Sequence, residues 1–436
     1  MRSRGKRLLA IRQTNNEEQR TKNGNIPQAV VSARAAARLR AGHLWVYRSD
    51  LYPSAPNAGA PGTPNLERVD NLVPGSLVAV MDRRGKLLGS GLYSSASQIA
   101  VRLLARKRLE ASELPAILRQ RILDALAYRD RVVRNTDAYR LIFSEADLLP
   151  GLIADCYHDL IAVQMLTQAM DQAPLREVVI ETLAQALQPV AIIERVDAHI
   201  RELEQLPARQ GQVLFAAGPT AGSKTSTIFT MNGVRFHYDP LAGQKTGAFL
   251  DQRENYAAAE QHAHGRALDV FTYQGGFALH LNRVCEQVTA VDSSLPALQT
   301  AEQNAALNGG REIEWIEGNA FDLLRDYADA GQQYDTIVLD PPAFAKSRRA
   351  LDTAMRGYKE LNLRALKMLA RGAVLVTCSC SFHVSEAEFL DMLAQAAADA
   401  HRELRILERR GQAPDHPVLL AVPETSYLKC VICQVL

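Results

Sequence analysis

Short apolar runs alternate with amphipathic segments along the C-terminal half of the chain. Runs typical of β-strands occupy five segments, 267–272, 288–291, 313–316, 336–339 and 373–377. Each is followed by a segment with helical spacing of apolar residues, over 277–285, 296–307, 320–330, 358–369 and 386–398. Such alternation predicts right-handed βαβ crossovers and a parallel sheet with helices on both faces. Two more strand patterns, 404–407 and 427–435, have no helix between them, which predicts a seven-stranded sheet with an antiparallel last strand.

The N-terminal half has less regular patterns, which predict smaller units. Strand patterns at 77–81 and 87–91 flank a Gly-containing turn, and a third strand pattern follows at 98–104. Further along, a helical pattern rich in arginine spans 117–134. Strand patterns at 160–166 and 190–193 then enclose an amphipathic helix at 174–187. The Gly- and Ala-rich stretch 209–224 is expected to be a loop.

These patterns divide the chain into four segments. Residues 1–26 are expected to form a basic flexible tail, 27–105 a β-rich module, 106–235 a helical connector with a small α/β domain, and 236–436 the domain with the large sheet. The length of 436 residues agrees with about three domains of roughly 150 residues each.

The composition is that of a globular protein, but its charge is unevenly distributed. Hydrophobic residues make up 47% and charged residues 22%, which excludes a wholly disordered chain. The formal net charge is only +2. However, residues 1–108 contain 19 Lys and Arg against 6 Asp and Glu, whereas residues 109–436 contain 31 against 42. This asymmetry indicates a basic module that meets a polyanion, next to an acidic body with another role.

Two further features bear on location and metal content. No apolar run reaches the roughly 18 residues of a membrane span, and the first 25 residues lack the apolar core of a secretory signal, so we expect a cytoplasmic protein. The six cysteines include two close pairs, Cys378 with Cys380 and Cys430 with Cys433. Both pairs lie in apolar strand patterns, and a single residue separates the first. We therefore expect buried thiols rather than a zinc site, and no metal.

Residues of the types that bind ligands follow all five predicted parallel strands, at the edge where such sheets bind ligands. The first strand is followed by the pair Gly275–Gly276, which lets a ligand approach the backbone at a helix N-terminus. Asp292 follows the second strand and can accept hydrogen bonds from a ribose diol. The polar and aromatic segment 318–322, after the third strand, suits an adenine. The fourth and fifth strands are followed by Asp340–Phe344 and Cys378–Ser381.

Each of these features also has a purely structural interpretation. An aspartate at a strand end, such as Asp292, often caps a helix, and two consecutive glycines can form a tight turn. A nicotinamide-dependent enzyme has a similar layout, but Asp-Pro-Pro-Ala-Phe has no role in hydride transfer. Five consecutive strand ends of this type nevertheless favour a ligand-binding site over a series of caps.

The strand-end residues resemble the ordered motifs of class I S-adenosylmethionine (SAM) methyltransferases. The segments that carry this resemblance are Asp269–Ala278, Asp292, Asn319–Asp322 and Asp340–Phe344. Three further segments narrow it to the RlmI-type 23S rRNA (cytosine-C5) methyltransferases: Gly243–Arg253, Tyr358–Lys359 and Thr377–Ser381. Toward the N-terminus, Gly42–Tyr47 and Gly75–Val78 resemble that family's PUA signature, and Leu149–Asp155 resembles its middle-domain signature.

This resemblance implies a fold, a cofactor and a partner. The fold would be α/β, with a Rossmann-like class I methyltransferase domain whose seven-stranded sheet has an antiparallel last strand. A small β-barrel PUA-like domain, which binds RNA, and a small α/β central domain would precede it. The cofactor would be SAM, and the partner would be 23S rRNA, either naked or in a partly assembled large subunit.

The resemblance also implies which residues form the site. The positions implied for SAM are Asp269, Phe271, Gly275, Gly276, Asp292, Asn319, Ala320, Asp322, Asp340, Thr246 and Arg253. Those implied for the base and the RNA are Pro341, Pro342, Phe344 and Lys346. Taken as bare residues, Phe344 can equally pack in the core and Lys346 can lie in a solvated loop. Thr246 and Arg253 can equally be a cap and a surface residue.

Methylation of cytosine at C5 requires a nucleophile, because C5 itself reacts poorly. A thiolate that adds at C6 makes C5 enamine-like. A base later removes the C5 proton and the thiolate leaves. On a strand, Cys378 and Cys380 would face the same side, about 6.6 Å apart. Cys380 is the predicted nucleophile because it is nearer the carboxyl end and because the family's Ser-Cys-Ser pattern aligns with it. Asp340 is expected to bind the N3/N4 edge of the cytosine and to assist the adduct.

Two other functions are compatible with the same residues. A SAM-dependent N-methyltransferase acting on guanine or adenine in RNA would need Asp340 but not Cys380. A catalytically inactive RNA-binding ribosome assembly factor would keep the fold without binding SAM. The sequence leaves the oligomeric state open, with a homodimer as one option.

Overall fold

The computed structural model describes residues 26–52, 72–218, 224–241, 248–345 and 347–436. Within these ranges the strands form four sheets, of five, five, two and seven strands. Three predicted features lie outside the described residues: the tail over 1–26 apart from Ile26, and the two site residues Thr246 and Lys346.

The N-terminal unit is a five-stranded sheet in the order β1-β3-β4-β5-β2. Its elements are β1 (Gln28–Val30), α1 (Ala33–Arg40), β2 (Trp45–Tyr47), β3 (Leu77–Met81), β4 (Leu87–Tyr93) and β5 (Ile99–Ala105). Only β1 and β3 pair in parallel. Helix α1 begins after Ser32, whose hydroxyl accepts a hydrogen bond from the Ala35 amide at 3.1 Å. The β-rich module expected from the sequence is therefore confirmed.

The second unit is a five-stranded sheet in the order β10-β9-β8-β7-β6, packed against helices. Its elements are α2 (Leu114–Val132), β6 (Ala138–Phe143), β7 (Leu152–Tyr157), β8 (Leu160–Met165), α3 (Ala173–Leu187), β9 (Ala191–Glu194), α4 (Ala198–Leu203) and β10 (Gln212–Ala216). The prediction of a loop over 209–224 is wrong for β10, which pairs antiparallel with β9. This short edge strand is exposed or half-exposed along its length, so it lacks the alternation of buried and exposed residues that would have revealed it.

A two-stranded hairpin connects the second unit to the large sheet. Its strands are β11 (Thr227–Met231) and β12 (Val234–Tyr238), so the predicted domain division at residue 236 falls inside β12. The turn residues Asn232 and Gly233 have φ values of 51° and 80°, the left-handed conformations that an Asn-Gly hairpin turn favours. The Tyr238 ring stacks on Tyr157 of β7, with centroids 3.6 Å apart. Because both rings are buried, this stack ties the hairpin firmly to the second unit.

The C-terminal unit is a seven-stranded sheet in the order β15-β14-β13-β16-β17-β19-β18. Its strands are β13 (Arg266–Val270), β14 (Gln287–Asp292), β15 (Ile313–Glu317), β16 (Tyr334–Leu339), β17 (Leu369–Ser379), β18 (Leu404–Arg410) and β19 (Lys429–Val435). Strand β19 runs antiparallel to both of its neighbours, β17 and β18. The predicted Rossmann-like sheet with an antiparallel last strand is therefore confirmed.

Helices cover both faces of this sheet. They are α5 (Arg253–His262), α6 (Gly276–Leu281), α7 (Leu295–Asn308), α8 (Ala320–Asp329), α9 (Leu351–Met368) and α10 (Glu386–Asp399). Alternate residues of β13 enter two separate apolar cores, with Ala267 in one and Leu268 and Val270 in the other. Burial on both faces explains why the parallel strands appear as continuous apolar runs in the sequence. No helix in the described part of the chain is long and apolar enough to cross a membrane.

Candidate active site

The predicted site residues meet at the carboxyl edge of the parallel strands. Strand β13 lies between β14 and β16. From β13 the chain builds the sheet first toward β15 on one side and then, from β16 onward, on the other side, so the strand order reverses at this point. Val270, near the end of β13, is paired with Val291 on one side and Leu339 on the other. The chain segments that follow β13, β14 and β16 therefore leave the sheet side by side, and reversal points of this kind form the crevice in which such sheets bind ligands.

The loop after β13 has an unusual backbone. Phe271 and Tyr273 have φ values of 69° and 52°, and Gly275 has 84°. Positive φ values are uncommon for residues other than glycine and cluster at functional sites. The neighbouring strand holds the loop in place, because the amides of Phe271 and Thr272 both donate to the carbonyl of Val291 at 2.9 Å.

Packing explains why glycine is needed at position 276. A Cβ atom on Gly276 would lie 2.5 Å from the ring of Tyr256, which is itself buried. At Gly275 the positive φ is the stronger constraint, and a Cβ there would lie 3.3 Å from Trp315. The two glycines thus let helix α6 start directly against α5, where its N-terminal amides face the carboxyl edge of the sheet.

We expect Gly276→Ala to lower the thermal stability of the protein. The added methyl group would force the buried Tyr256 ring or helix α6 to move, and overpacking of this kind costs about 1–3 kcal/mol. Thermal unfolding followed by circular dichroism measures the effect. Gly218→Ala is the matched control, because in the part of the chain that the structure describes no atom beyond the adjacent residues lies within 4 Å of a Cβ at that position. Equal Tm values for the two variants would contradict the packing argument.

Asp269 provides a buried acceptor beneath this loop. One carboxyl oxygen, Oδ2, accepts hydrogen bonds from Thr272 Oγ1 at 2.6 Å and from the Ala278 amide at 2.9 Å. The other, Oδ1, is buried without a partner in the part of the chain described. Burial raises the pKa of Asp269 to about 7. An unpartnered buried oxygen costs free energy, so this atom is suited to accept a hydrogen bond from a ligand, such as the ammonium group of SAM.

The residues after β14 and β15 form caps and turns. The Asp292 carboxylate accepts hydrogen bonds from the amides of Tyr273 and Ser294, both at 2.9 Å. Asn319 caps helix α8 by accepting from the amides of Phe321 and Asp322. The exposed Asp322 pairs with Arg325 of the same helix at 2.9 Å, and the preceding Ala320 is buried in the core. Binding of ribose by Asp292 and of adenine by 319–322 stays a prediction, since carboxylate and amide oxygens that cap a loop still have free lone pairs.

Asp340, directly after β16, lies in a cluster of polar side chains. Its Oδ1 accepts a hydrogen bond from Gln252 Nε2 at 2.9 Å, and Gln252 in turn accepts one from Asn255 at 2.6 Å. Burial and the nearby carboxylates of Asp251 and Asp269 raise the pKa of Asp340 to about 8. A carboxyl group with such a pKa holds its proton at neutral pH and can donate it in a hydrogen bond.

The raised pKa values predict how the stability of the ligand-free protein depends on pH. Unfolding returns Asp340 and Asp269 to ordinary pKa values near 4, so between about pH 4 and pH 8 these two groups bind more protons in the folded state than in the unfolded state. Their contribution to the free energy of unfolding therefore falls as the pH rises through this interval. We expect Asp340→Asn, which cannot ionise and still accepts from Gln252, to match the wild type near pH 4 and to exceed its Tm at pH 8. Identical pH profiles for the two proteins would contradict this.

The structure separates the two candidate cysteines. Strand β17 ends at Ser379, so Cys378 lies inside the strand and Cys380 one residue beyond its end. Cys378 is fully buried opposite Cys430 of β19. Cys380 is half-buried, with Sγ 3.9 Å from the carbonyl oxygen of Pro341. Cys380 is therefore the thiol nearer the carboxyl edge, as expected from its position in the sequence, and the strand itself ends between the two cysteines.

The environment of Cys380 keeps its thiol protonated in the ligand-free protein. Burial and the nearby Asp340 and Asp251 raise its pKa to about 12, while the ammonium of Lys429 acts in the opposite direction. Lys429 Nζ donates hydrogen bonds to the carbonyls of Ser381 at 2.6 Å and Tyr427 at 2.8 Å. Burial lowers the pKa of this lysine to about 8. A partly buried cation next to the thiol is the group that would stabilise a thiolate.

The sequence assigned no role to three residues of this cluster, although two of them, Gln252 and Tyr358, lie in segments that carry the family resemblance. Lys429 is the single charged residue in the apolar pattern 427–435, and a lone charge in a predicted strand is a sequence feature that can indicate a functional residue. Gln252 lies in the Gly243–Arg253 segment but was not singled out. Tyr358, buried on α9, contacts both Ser379 Oγ and Ser381 Oγ at 3.0 Å. These contacts clamp the segment that contains Cys380 from both sides of the thiol.

The residues after Asp340 line the same edge. Pro341 is buried and Pro342 is exposed. The ring of Phe344 is half-buried, with its centroid 4.8 Å from that of Tyr358 and 6.0 Å from that of Phe321. Phe344 therefore packs against α9 with part of its ring, and the other part stays accessible to a stacked base.

Arg253 lies in the interior. Its side chain is fully buried, and its guanidinium forms two hydrogen bonds to the buried carboxylate of Asp415, at 2.9 and 3.1 Å. Asp415 also accepts from the Arg140 amide of β6, at 2.8 Å. Although burial alone would raise the pKa of Asp415, His416 and Arg253 hold it well below its usual range. Asp415, which Arg253 holds in place, thus joins the C-terminal unit to the second unit, and the buried Arg253 side chain presents no surface to a ligand in this structure.

Two family models match the chain. One, described as a PUA-like domain, matches residues 30–106, and the other, described as an S-adenosylmethionine-dependent methyltransferase, matches residues 219–432. Within the described residues, no group of three or more His, Cys, Asp or Glu side chains is placed to hold a metal ion.

Curated proteins resemble the chain over most of its length. A Photobacterium profundum protein named ribosomal RNA large subunit methyltransferase I is 36% identical over 408 residues, which cover 91% of this chain and 96% of that protein. A protein of the same name from Aeromonas salmonicida is 38% identical over 376 residues, which cover 85% and 93%.

Solved structures share the fold at low sequence identity. A candidate methyltransferase in complex with SAH aligns with a TM-score of 0.76 at 16% identity, over 94% of this chain and 100% of that chain. A structure from Streptococcus mutans, described as a candidate SAM-dependent methyltransferase, aligns with the same coverage and a TM-score of 0.75. The fold is thus shared over nearly the whole chain, including the N-terminal, second and C-terminal units.

Proposed function

Because this chain belongs to the ribosomal RNA large subunit methyltransferase I family, whose catalytic domain depends on SAM, we propose that it forms 5-methylcytosine in large-subunit (23S) rRNA. The observation that carries this proposal is the position of Cys380. This half-buried thiol lies at the carboxyl edge of the sheet, next to Asp340 and 3.9 Å from the Pro341 carbonyl. A nucleophile beside a protonated carboxyl group is the pair that C5 methylation of cytosine requires.

The reaction begins with the thiol of Cys380. After the thiol gives its proton to solvent, the thiolate adds to C6 of the cytosine, and the C5–C6 double bond supplies the electron pair that makes C5 nucleophilic. Bound SAM supplies the methyl group that C5 receives. Removal of the C5 proton by a base then restores the double bond and expels the Cys380 thiolate, so the enzyme returns unchanged.

Asp340 and Lys429 assist the first step from opposite sides. The protonated Asp340 carboxyl can donate to N3 of the cytosine and accept from the N4 amino group, which draws electrons from the ring and favours addition at C6. Lys429 provides the positive charge that offsets the thiolate. Because the Cys380 pKa is far above neutrality without ligands, we propose that the thiolate forms only when the positively charged SAM and the base are in place.

The residues around the loop after β13 would hold SAM. The unpartnered oxygen of Asp269 would accept from its ammonium group, and the amides at the start of α6 would bind its carboxylate. Asp292 would bind the ribose hydroxyls, and the segment 319–322 would bind the adenine. We propose no SAM contact for Arg253, and Thr246 lies outside the described residues.

The PUA-like unit would bind the RNA. The N-terminal segment 1–108, with 19 Lys and Arg against 6 Asp and Glu, carries all of the excess positive charge of the chain. On α1, the side chain of Arg34 is 73% exposed although it touches Asp50, so it retains surface for a phosphate. Electrostatic attraction by this basic segment would bring the RNA to the catalytic domain, whose own net negative charge would otherwise repel it.

Nucleoside analysis tests the proposed function. The purified protein is incubated with tritiated SAM and fragments of large-subunit rRNA, and the RNA is digested to nucleosides and separated. We expect the label in 5-methylcytosine. Label in an N-methylated guanine or adenine would replace the proposal with the N-methyltransferase function, in which Asp340 holds an exocyclic amine. Absence of any label, together with absence of SAM binding in calorimetry, would favour a non-catalytic assembly factor.

A further inference from the structure

A cavity of about 500 Å³ lies beside the Cys380 segment. The start of α10 and the facing residues of β18 and β19 enclose it. Polar, charged and aromatic side chains line it, among them Phe382, Ser385, Glu386, Arg409, Arg410 and Lys429. A volume of this size lies in the range of sites for small ligands.

The cavity lies next to the proposed catalytic cluster and shares Lys429 with it. Phe382 follows Cys380 by two residues, and Lys429, which lines the cavity, donates through Nζ to the carbonyl of the intervening Ser381 at 2.6 Å. In the register of β17 and β19, Lys429 is paired with Ser379. A molecule in the cavity would therefore lie next to the segment that contains Cys380, and so next to a base bound at this thiol.

The lining combines an exposed aromatic ring with available positive charge. Phe382 keeps 41% of its surface exposed. The Arg409 side chain is 60% exposed, and Glu386 lies 3.7 Å from its guanidinium. Arg410 is more strongly engaged, with hydrogen bonds to Glu408 and Asn255. Arg409 and Lys429 thus supply two positive charges against the one carboxylate of Glu386, so the cavity favours an anionic ligand with a flat apolar face.

We propose that this cavity binds a nucleotide of the RNA strand directly adjacent to the target cytosine, with its base stacked on Phe382 and its phosphate at Arg409. The inference rests on the proposed function, since it takes the target to be a base in RNA. Aromatic rings and arginines on one surface are the combination that binds single-stranded RNA, because the ring stacks with a base and the cation neutralises the backbone. When the cytosine leaves the base stack to reach Cys380, the adjacent nucleotide loses its stacking partner. The ring of Phe382 in the cavity would replace that partner.

The stacking contact is tested with three RNA substrates and three proteins. One substrate is the rRNA fragment in which the methylated cytosine has been mapped, and in the other two an abasic residue replaces one neighbour of that cytosine, on the 5′ side or the 3′ side. With the intact fragment, we expect Phe382→Ala to raise KM roughly 5- to 150-fold with little change in kcat. Phe382→Trp, which can still stack, should retain wild-type KM.

The abasic substrates show whether the two changes are coupled. For the neighbour that occupies the cavity, removing the base should raise KM for the wild type but not for Phe382→Ala, because the stacking partner is already absent. Additive effects of the two changes on both sides of the cytosine would overturn the proposal. That result would leave the proposed function intact as long as the wild type forms 5-methylcytosine, whereas failure of the wild type to form it would overturn both.

The phosphate contact has its own test. Loss of one phosphate contact should reduce the slope of log affinity against log salt concentration by about 0.7 for a single strand. We expect this reduction for Arg409→Ala, measured by filter binding of the rRNA fragment. Arg405→Ala is the matched control, since Arg405 is an exposed arginine of the same strand outside the cavity. Equal slopes for the two variants would exclude the phosphate contact.

Discussion

Cys380→Ala is expected to abolish the formation of 5-methylcytosine, with a rate at least on the order of 10³-fold below that of the wild type. Without the thiolate no group adds at C6, and C5 remains too poor a nucleophile to accept a methyl group. The side chain is half-buried next to Pro341, so its removal changes little of the packed core. Single-turnover incubation with tritiated SAM and the rRNA fragment measures the rate, and calorimetry verifies that SAM still binds.

Cys378→Ala is the matched control for this prediction. It removes a thiol two residues away that is buried against Cys430 and reaches no accessible surface, so methylation should persist. RNA with 5-fluorocytosine at the target position provides a second measurement. Fluorine at C5 leaves no proton for the final elimination, so the wild type and Cys378→Ala should form a covalent protein–RNA complex that survives denaturing electrophoresis. Cys380→Ala should form none. Full activity in Cys380→Ala would refute the proposed chemistry.

Arg253→Met is expected to lower the free energy of unfolding by about 3–5 kcal/mol. The substitution removes the guanidinium that forms two hydrogen bonds to the buried Asp415 carboxylate, and breaking a buried ion pair by removing one partner is strongly destabilising. The effect should be visible in urea unfolding monitored by tryptophan fluorescence, as a large decrease in the midpoint. SAM affinity, measured below the unfolding transition, should change little, because the buried guanidinium presents no surface to a ligand.

The double variant Arg253→Met with Asp415→Asn separates loss of charge pairing from loss of packing. Asparagine is neutral and can still accept the hydrogen bond from the Arg140 amide, so the double variant should recover much of the lost stability. If the single variant is instead as stable as the wild type but binds SAM far more weakly, Arg253 belongs to the cofactor site, as the family resemblance implied.

Local patterns were sufficient to predict most of the catalytic domain. Strand–helix alternation predicted the large sheet and its antiparallel last strand, because burial on both faces of a parallel sheet leaves continuous apolar runs in the sequence. The strand ends then placed Asp269, Asp340 and Cys380 at one edge, since parallel strands share a direction. The same reasoning failed for β10, a short strand at a sheet edge whose exposed residues give no periodic signal.

The environment of each functional side chain, by contrast, was decided by contacts between distant parts of the chain. Arg253 meets Asp415 across 162 positions of sequence, and Lys429 reaches the Cys380 segment across 48. A local pattern carries no information about such pairs, because they depend on how whole strands and helices pack. Sequence could therefore indicate that a cysteine, a carboxylate and a SAM loop share an edge. Only the folded chain showed that β17 ends before Cys380, that burial and neighbouring carboxylates raise the pKa of Asp340, and that Arg253 faces inward.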